Sequence, residues 1–97
     1  MFELTLTIEA IEDLRFFGKA DRKWIVDETE KQLAHEPEVQ TRKRKRLRPN
    51  QVAEWELRID PFRVFYDVDS QNRLIKVRTI AYKEGNILYV RGTKFSI

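Results

Sequence analysis

From Phe2 to Ile8 apolar and polar residues alternate, with Phe2, Leu4, Leu6 and Ile8 on one side and Glu3, Thr5 and Thr7 on the other. Period two predicts a strand with one buried face. The period then lengthens. Ala10, Ile11, Leu14 and Phe17 recur at helical spacing, and Glu9, Glu12 and Asp13 suit a helix N-terminal half, so a short helix is expected over about 9–17, closed by Gly18. Asp21 is placed to cap a second helix with a narrow stripe of Trp24, Ile25, Thr29 and Leu33, which must end before Pro37. The two are expected to form a hairpin. His35 falls in the last turn, where an imidazole faces solvent near the helix carbonyls, and it is not a catalytic candidate.

Period two returns at Trp55. Trp55, Leu57 and Ile59 alternate with Glu56, Arg58 and Asp60, and after Pro61 the residues Phe62, Val64, Tyr66 and Val68 alternate with Arg63, Phe65, Asp67 and Asp69. Ser70-Gln71-Asn72-Arg73 reads as a turn, and Leu74 to Tyr82 as another strand, with Ile75, Val77, Thr79 and Ala81 opposing Lys76, Arg78, Ile80 and Tyr82. The order β-α-α-β-β-β predicts an α+β fold: an N-terminal strand and a two-helix hairpin packed on an antiparallel four-stranded sheet. The sheet's other face would stay partly open and carry Arg58 and Arg63 beside aromatics. Tyr66, on the apolar side with Val64 and Val68, is expected in the core.

With 97 residues and 11.7 kDa, residues 1–97 are expected to form a single domain. The longest uncharged stretch, Gly85 to Val90, is six positions, far short of the roughly 20 needed to span a bilayer, and the acidic N-terminal segment lacks a secretory pattern, so no membrane association and a cytoplasmic location are expected. Scarce residue types exclude much chemistry. The absence of cysteine removes thiolate metal sites and cysteine nucleophiles, and a single histidine cannot write HExxH, so no metal is expected. Three glycines, at 18, 85 and 92, form neither GxGxxG nor a phosphate-cradling loop, and Ser70 and Ser96 lie outside any GxSxG elbow. No cofactor is expected.

The net charge of +3 conceals an asymmetry. Arg42, Lys43, Arg44, Lys45, Arg46 and Arg48 supply six of the 19 basic residues within seven positions, and the remainder carries 13 basic against 16 acidic residues, a net −3. A solvated loop or a localisation signal can be written with the same letters, but positive charge concentrated in an acidic remainder more often marks a polyanion contact.

The succession Arg46-Leu47-Arg48-Pro49-Asn50, then Trp55-Glu56-Leu57-Arg58-Ile59, then Phe62-Arg63-Val64-Phe65-Tyr66-Asp67-Val68-Asp69, then Ile80-Ala81-Tyr82-Lys83 with Tyr89 beyond, resembles the RelE/ParE toxins of bacterial type II toxin–antitoxin systems. The resemblance spans about residues 14–92 and implies a RelE-like, microbial-RNase-type fold and a cognate antitoxin as partner. Its RelE-like branch implies a metal-independent endoribonuclease that cuts messenger RNA on the ribosome and so inhibits translation. Its ParE-like branch implies a DNA gyrase inhibitor that cuts no RNA, and a degenerate nucleic-acid-binding member is the remaining alternative. In the nuclease branch the ribose 2′-hydroxyl attacks the adjacent phosphate, which calls for cations on the five-coordinate phosphorus and groups that move protons. The resemblance puts Arg63 in the role of transition-state arginine, Arg58 and Lys83 as further cations, and Tyr89 as a base-stacking or proton-transferring residue. In the nuclease branch the polyanion that the charge concentration at Arg42, Lys43, Arg44, Lys45, Arg46 and Arg48 calls for is RNA. Glu56 stands where many of these nucleases have lysine, and Lys83 where they often have arginine. Glu56 is a candidate general base, or else a plain solvent-facing strand residue.

Overall fold

The computed structural model describes residues 1–97. Strand β1 (Glu3–Leu6) is followed by helices α1 (Ile8–Arg15) and α2 (Lys19–Leu33) and by six further strands: β2 (Arg44–Arg46), β3 (Trp55–Ile59), β4 (Phe62–Asp69), β5 (Leu74–Glu84), β6 (Ile87–Val90) and β7 (Thr93–Phe95). Helices and sheet segregate as expected, so the fold is α+β, but the sheet has seven strands rather than four. The extra strands are β2, inside the basic run, and the C-terminal hairpin β6–β7. The sheet runs β2-β3-β4-β5-β6-β7 through antiparallel pairs. Against the expectation of an antiparallel sheet, β1 pairs parallel with β5, from Glu3 opposite Leu74 to Leu6 opposite Val77. The long connection that parallel pairing needs runs through both helices and strands β2 to β4.

Both helix starts differ from the sequence reading. Ile8 leaves the strand and opens α1, where it is exposed, because Thr7 is the N-cap: its hydroxyl accepts the Ala10 N–H at 3.1 Å and donates to the Arg78 carbonyl at 3.1 Å. Gly18 does not close α1. It is the extended N-cap of α2, and Asp21 lies in the first turn, where its charge complements the helix dipole without capping it. Ile25, Thr29 and Leu33 face the sheet, whereas Trp24 is about half exposed.

The main core lies between helices and sheet and includes Ile25, Leu33, Leu57, Val64, Tyr66 and Ile80. Tyr66 is fully buried, stacked on Trp55 at 6.1 Å between centroids, and its hydroxyl donates to the Pro37 carbonyl at 2.8 Å. Burial pushes its phenol pKa well above the ordinary value, so it remains neutral and structural. The opposite face is less open than its pattern implies. Ala53, Phe65 and Ala81 form a second buried cluster, roofed by Leu47 and Val52 from the 47–54 loop and by Leu88, Val90 and Phe95 from the C-terminal hairpin.

A bulge decides which side chains reach that second face. Phe65 pairs with Thr79 but the next residue, Tyr66, pairs with Val77, so Arg78 is an extra residue in β5. The alternation in β5 reverses there. Ile75 and Val77 point to the helices with Ile80, and Ala81 joins Phe65 on the other side. Arg78, displaced from the ladder, bonds the Asp67 carboxylate at 2.8 Å.

Candidate functional site

The β3–β4 hairpin turns through Asp60 and Pro61, joined by a cis peptide bond, with Ile59 opposite Phe62 and Arg58 opposite Arg63. Directly paired residues share a face, so Arg58, Arg63 and Ala81 form one row across three strands. Lys83, two residues beyond Ala81, stands on the same face. The row alongside runs Lys45, Glu56, Phe65 and Thr79, which puts Glu56 beside the arginine row and Lys45 beyond it. Three of the four residues that the resemblance singles out therefore come together, and the bulge at Arg78 is what brings Lys83 among them.

Arg63 is not the open-strand residue that its alternation suggests. Its side chain is only 8% exposed; Nη1 donates to Asp60 Oδ1 at 2.9 Å and to the Phe62 carbonyl at 2.9 Å. Asp60 also faces Arg58, whose Nε lies 3.8 Å from Oδ2. One exposed carboxylate thus holds both arginines at the hairpin tip, while Nε and Nη2 of Arg63 have no hydrogen-bond partner within the chain. Pairing with Asp60 orients the guanidinium and offsets part of its charge. The sequence reading passed over Asp60, although an acid three residues before an arginine at a hairpin turn was a visible signal. Lys83 is half-buried and forms no ion pair, and its backbone N–H donates to the Pro61 carbonyl at 2.8 Å, which ties β5 to the same turn.

Tyr89 is elsewhere. It pairs with Tyr82, which pairs with Phe62 of the main core, so its ring lies on the helix side of the sheet. There Tyr82 and Tyr89 help line a cleft of about 580 Å³ with Phe16 and Phe62. The sheet separates Tyr89 from Lys83 and Arg63.

The basic run divides by role. Arg44 is half-buried, and its Nη1 donates to the Gln32 carbonyl at 2.9 Å and the His35 carbonyl at 3.3 Å, which satisfies the C-terminal end of α2 with a cation. The Arg46 guanidinium lies 5.6 Å from the Trp55 ring centroid. Arg42, Lys43, Lys45 and Arg48 are exposed, and none of the six forms an ion pair with an acid. Lys45 pairs with Glu56, so the run enters the sheet at the edge of the arginine face.

No protein-family model matches the chain, and no curated protein matches it. Among solved structures the chain is similar to a chain of the toxin–antitoxin complex RelBE2 from Mycobacterium tuberculosis, with a TM-score of 0.72 and 20% identity over 84% of this chain and 98% of that one. The likeness is one of fold, and it agrees with the RelE-like architecture that the sequence resemblance implies. No helix is long and apolar enough to cross a membrane.

Proposed function

We propose that this chain is the toxin of a toxin–antitoxin pair, neutralised by a cognate antitoxin protein, and that it cuts messenger RNA on the ribosome in the cytoplasm without a metal. The fold supports the toxin role. The observation that carries the cleavage reading is the grouping of Arg58, Arg63, Lys83 and Glu56 on one sheet face, continuous with the exposed cations of the basic run. An RNA strand guided by Arg42, Lys43, Lys45 and Arg48 would present a phosphate to Arg63, whose unpartnered Nε and Nη2 stabilise the extra charge of the five-coordinate phosphorus. The 2′-oxygen bonds to phosphorus as its proton passes to Glu56, and the bond from phosphorus to the 5′-oxygen breaks as Lys83 supplies a proton to the leaving group. The products are a 2′,3′-cyclic phosphate and a 5′-hydroxyl. This reading assigns no step to Tyr89, whose ring lies on the other face.

A second reading, a toxin that acts on DNA gyrase and cuts no RNA, is favoured by the burial of Arg63 and by its pairing with Asp60, which lessens its free charge. The two separate in one experiment. Purified protein added to programmed ribosomes, with primer extension across the message, yields new ends under the first reading; intact message together with blocked gyrase supercoiling belongs to the second.

A further inference from the structure

The cleft on the helix side is unused by the proposed cleavage. It opens where the junction of α1 and α2 faces the β6–β7 hairpin, and its walls are aromatic. Phe17 and Phe62 meet edge to face at 4.9 Å, and Phe62 meets Tyr82 at 6.1 Å. Phe16 is 57% exposed and Tyr82 is 36% exposed, so both keep much of their area in water. Tyr89 adds a third ring beside them. These exposed rings are accompanied by charged residues in the same cleft, so its chemistry is mixed and not purely apolar.

Its charge is opposite to that of the arginine face. Asp21 and Glu84 line the cleft, and neither takes part in an ion pair or a side-chain hydrogen bond. Arg91, the sole cation in the lining, is already held by Glu12 at 3.1 Å and by Asp13 at 3.0 Å. Two free carboxylates beside exposed aromatic rings would repel a nucleic acid and attract a cation on an apolar stem. Arginine suits the place better than lysine, since its planar fork can grip a carboxylate while its face stacks on a ring.

From this complementarity we infer that the cleft is a docking surface for a polypeptide partner, which inserts an arginine flanked by aliphatic side chains. The guanidinium meets Asp21 and Glu84, and the aliphatic neighbours cover Phe16 and Tyr82. This docking is independent of RNA cleavage: it lies across the sheet from Arg58, Arg63 and Lys83, and partner and RNA can be held together.

The test is an NMR titration of the isotope-labelled full chain with the peptide acetyl-Leu-Arg-Leu-amide, and with the same peptide carrying citrulline, which keeps the shape and removes the charge. Saturable shifts are expected at Phe16, Tyr82 and Tyr89, with the citrulline peptide binding about tenfold more weakly. Glu84→Gln in the protein is expected to reduce arginine-peptide affinity by a similar factor, and the citrulline comparison reads the same interaction in an unaltered chain. Equal binding of the two peptides would overturn the inference. So would shifts centred on Lys83 and Arg58, or shifts at Phe16 and Tyr82 that depend on protein concentration without peptide, which would assign the cleft to a second copy of the chain.

Discussion

Lys83 follows Tyr82 by one residue, and Tyr82 pairs with Tyr89, so Lys83 and Tyr89 point to opposite faces of the sheet. That relationship divides the residues that the family resemblance groups together. Lys83 shares a face with Arg58 and Arg63, whereas Tyr89 belongs to the aromatic cleft beside the helices.

Arg63→Ala is expected to reduce messenger RNA cleavage on the order of 100- to 1,000-fold, the usual cost of removing a group that stabilises transition-state charge. It also strips the Phe62 carbonyl and Asp60 of a buried donor, so a stability decrease of about 1 to 3 kcal/mol accompanies it. Denaturant unfolding measured beside the cleavage assay separates the two effects. Growth arrest that survives the substitution, with intact message, would point to the gyrase reading.

Neutralising Arg42, Lys43, Lys45 and Arg48 should weaken RNA or ribosome binding without lowering stability. For every phosphate left without its cation, the slope of log affinity against log salt should flatten by roughly 0.7 to 0.9. Arg44→Ala should behave differently, lowering stability by roughly 1 to 2 kcal/mol because Arg44 bonds the carbonyls at the end of α2. Equal effects on salt dependence from the exposed set and from Lys19, Arg22, Lys23 and Lys31 would mark nonspecific attraction.

Leu57→Ala should cost roughly 2 to 5 kcal/mol, since Leu57 is fully buried in the main core. Chemical denaturation reads this directly, and an unchanged midpoint would contradict the packing described.

Stability should also respond to pH through Asp13, which is 1% exposed. Burial raises its pKa above the ordinary carboxylate value, although the Ile80 N–H and the Arg91 guanidinium act the other way. An acid whose pKa rises on folding contributes most while protonated, and that contribution falls as pH climbs through the raised folded value. The stability advantage of the wild type over Asp13→Asn is therefore expected to be larger near about pH 4 than near about pH 7. A gap that widens with pH would mean that the pairing with Arg91 outweighs burial.

Much of the fold was legible because one-faced burial writes itself as alternation. Trp55, Leu57 and Ile59 are buried as their spacing requires, and so are Phe62, Val64 and Tyr66. Other features carry no such signature. Arg44-Lys45-Arg46 is a strand because β3 offers it an edge, and three consecutive cations have no apolar period to reveal it. The parallel partner of β1 is set by a pairing some 70 residues away. The side on which Lys83 and Tyr89 fall depends on one extra residue, Arg78, since a shift of one position turns every later side chain over. Arg63 was identifiable from its surrounding phrase, but its burial was not, because alternation puts it on the same side as the polar strand residues and says nothing of what covers that side.

On the proposed mechanism, catalysis belongs to the arginine face and not to the tyrosine cleft. That assignment is tested most directly by primer extension on ribosome-bound messenger RNA with Lys83→Met and Tyr89→Phe assayed beside the wild type, each checked for unchanged melting. Cleavage is expected to fall on the order of 100-fold in Lys83→Met, as removal of a general acid does, while Tyr89→Phe cuts at the wild-type rate. Full activity in Lys83→Met with none in Tyr89→Phe would contradict the assignment and move the site across the sheet.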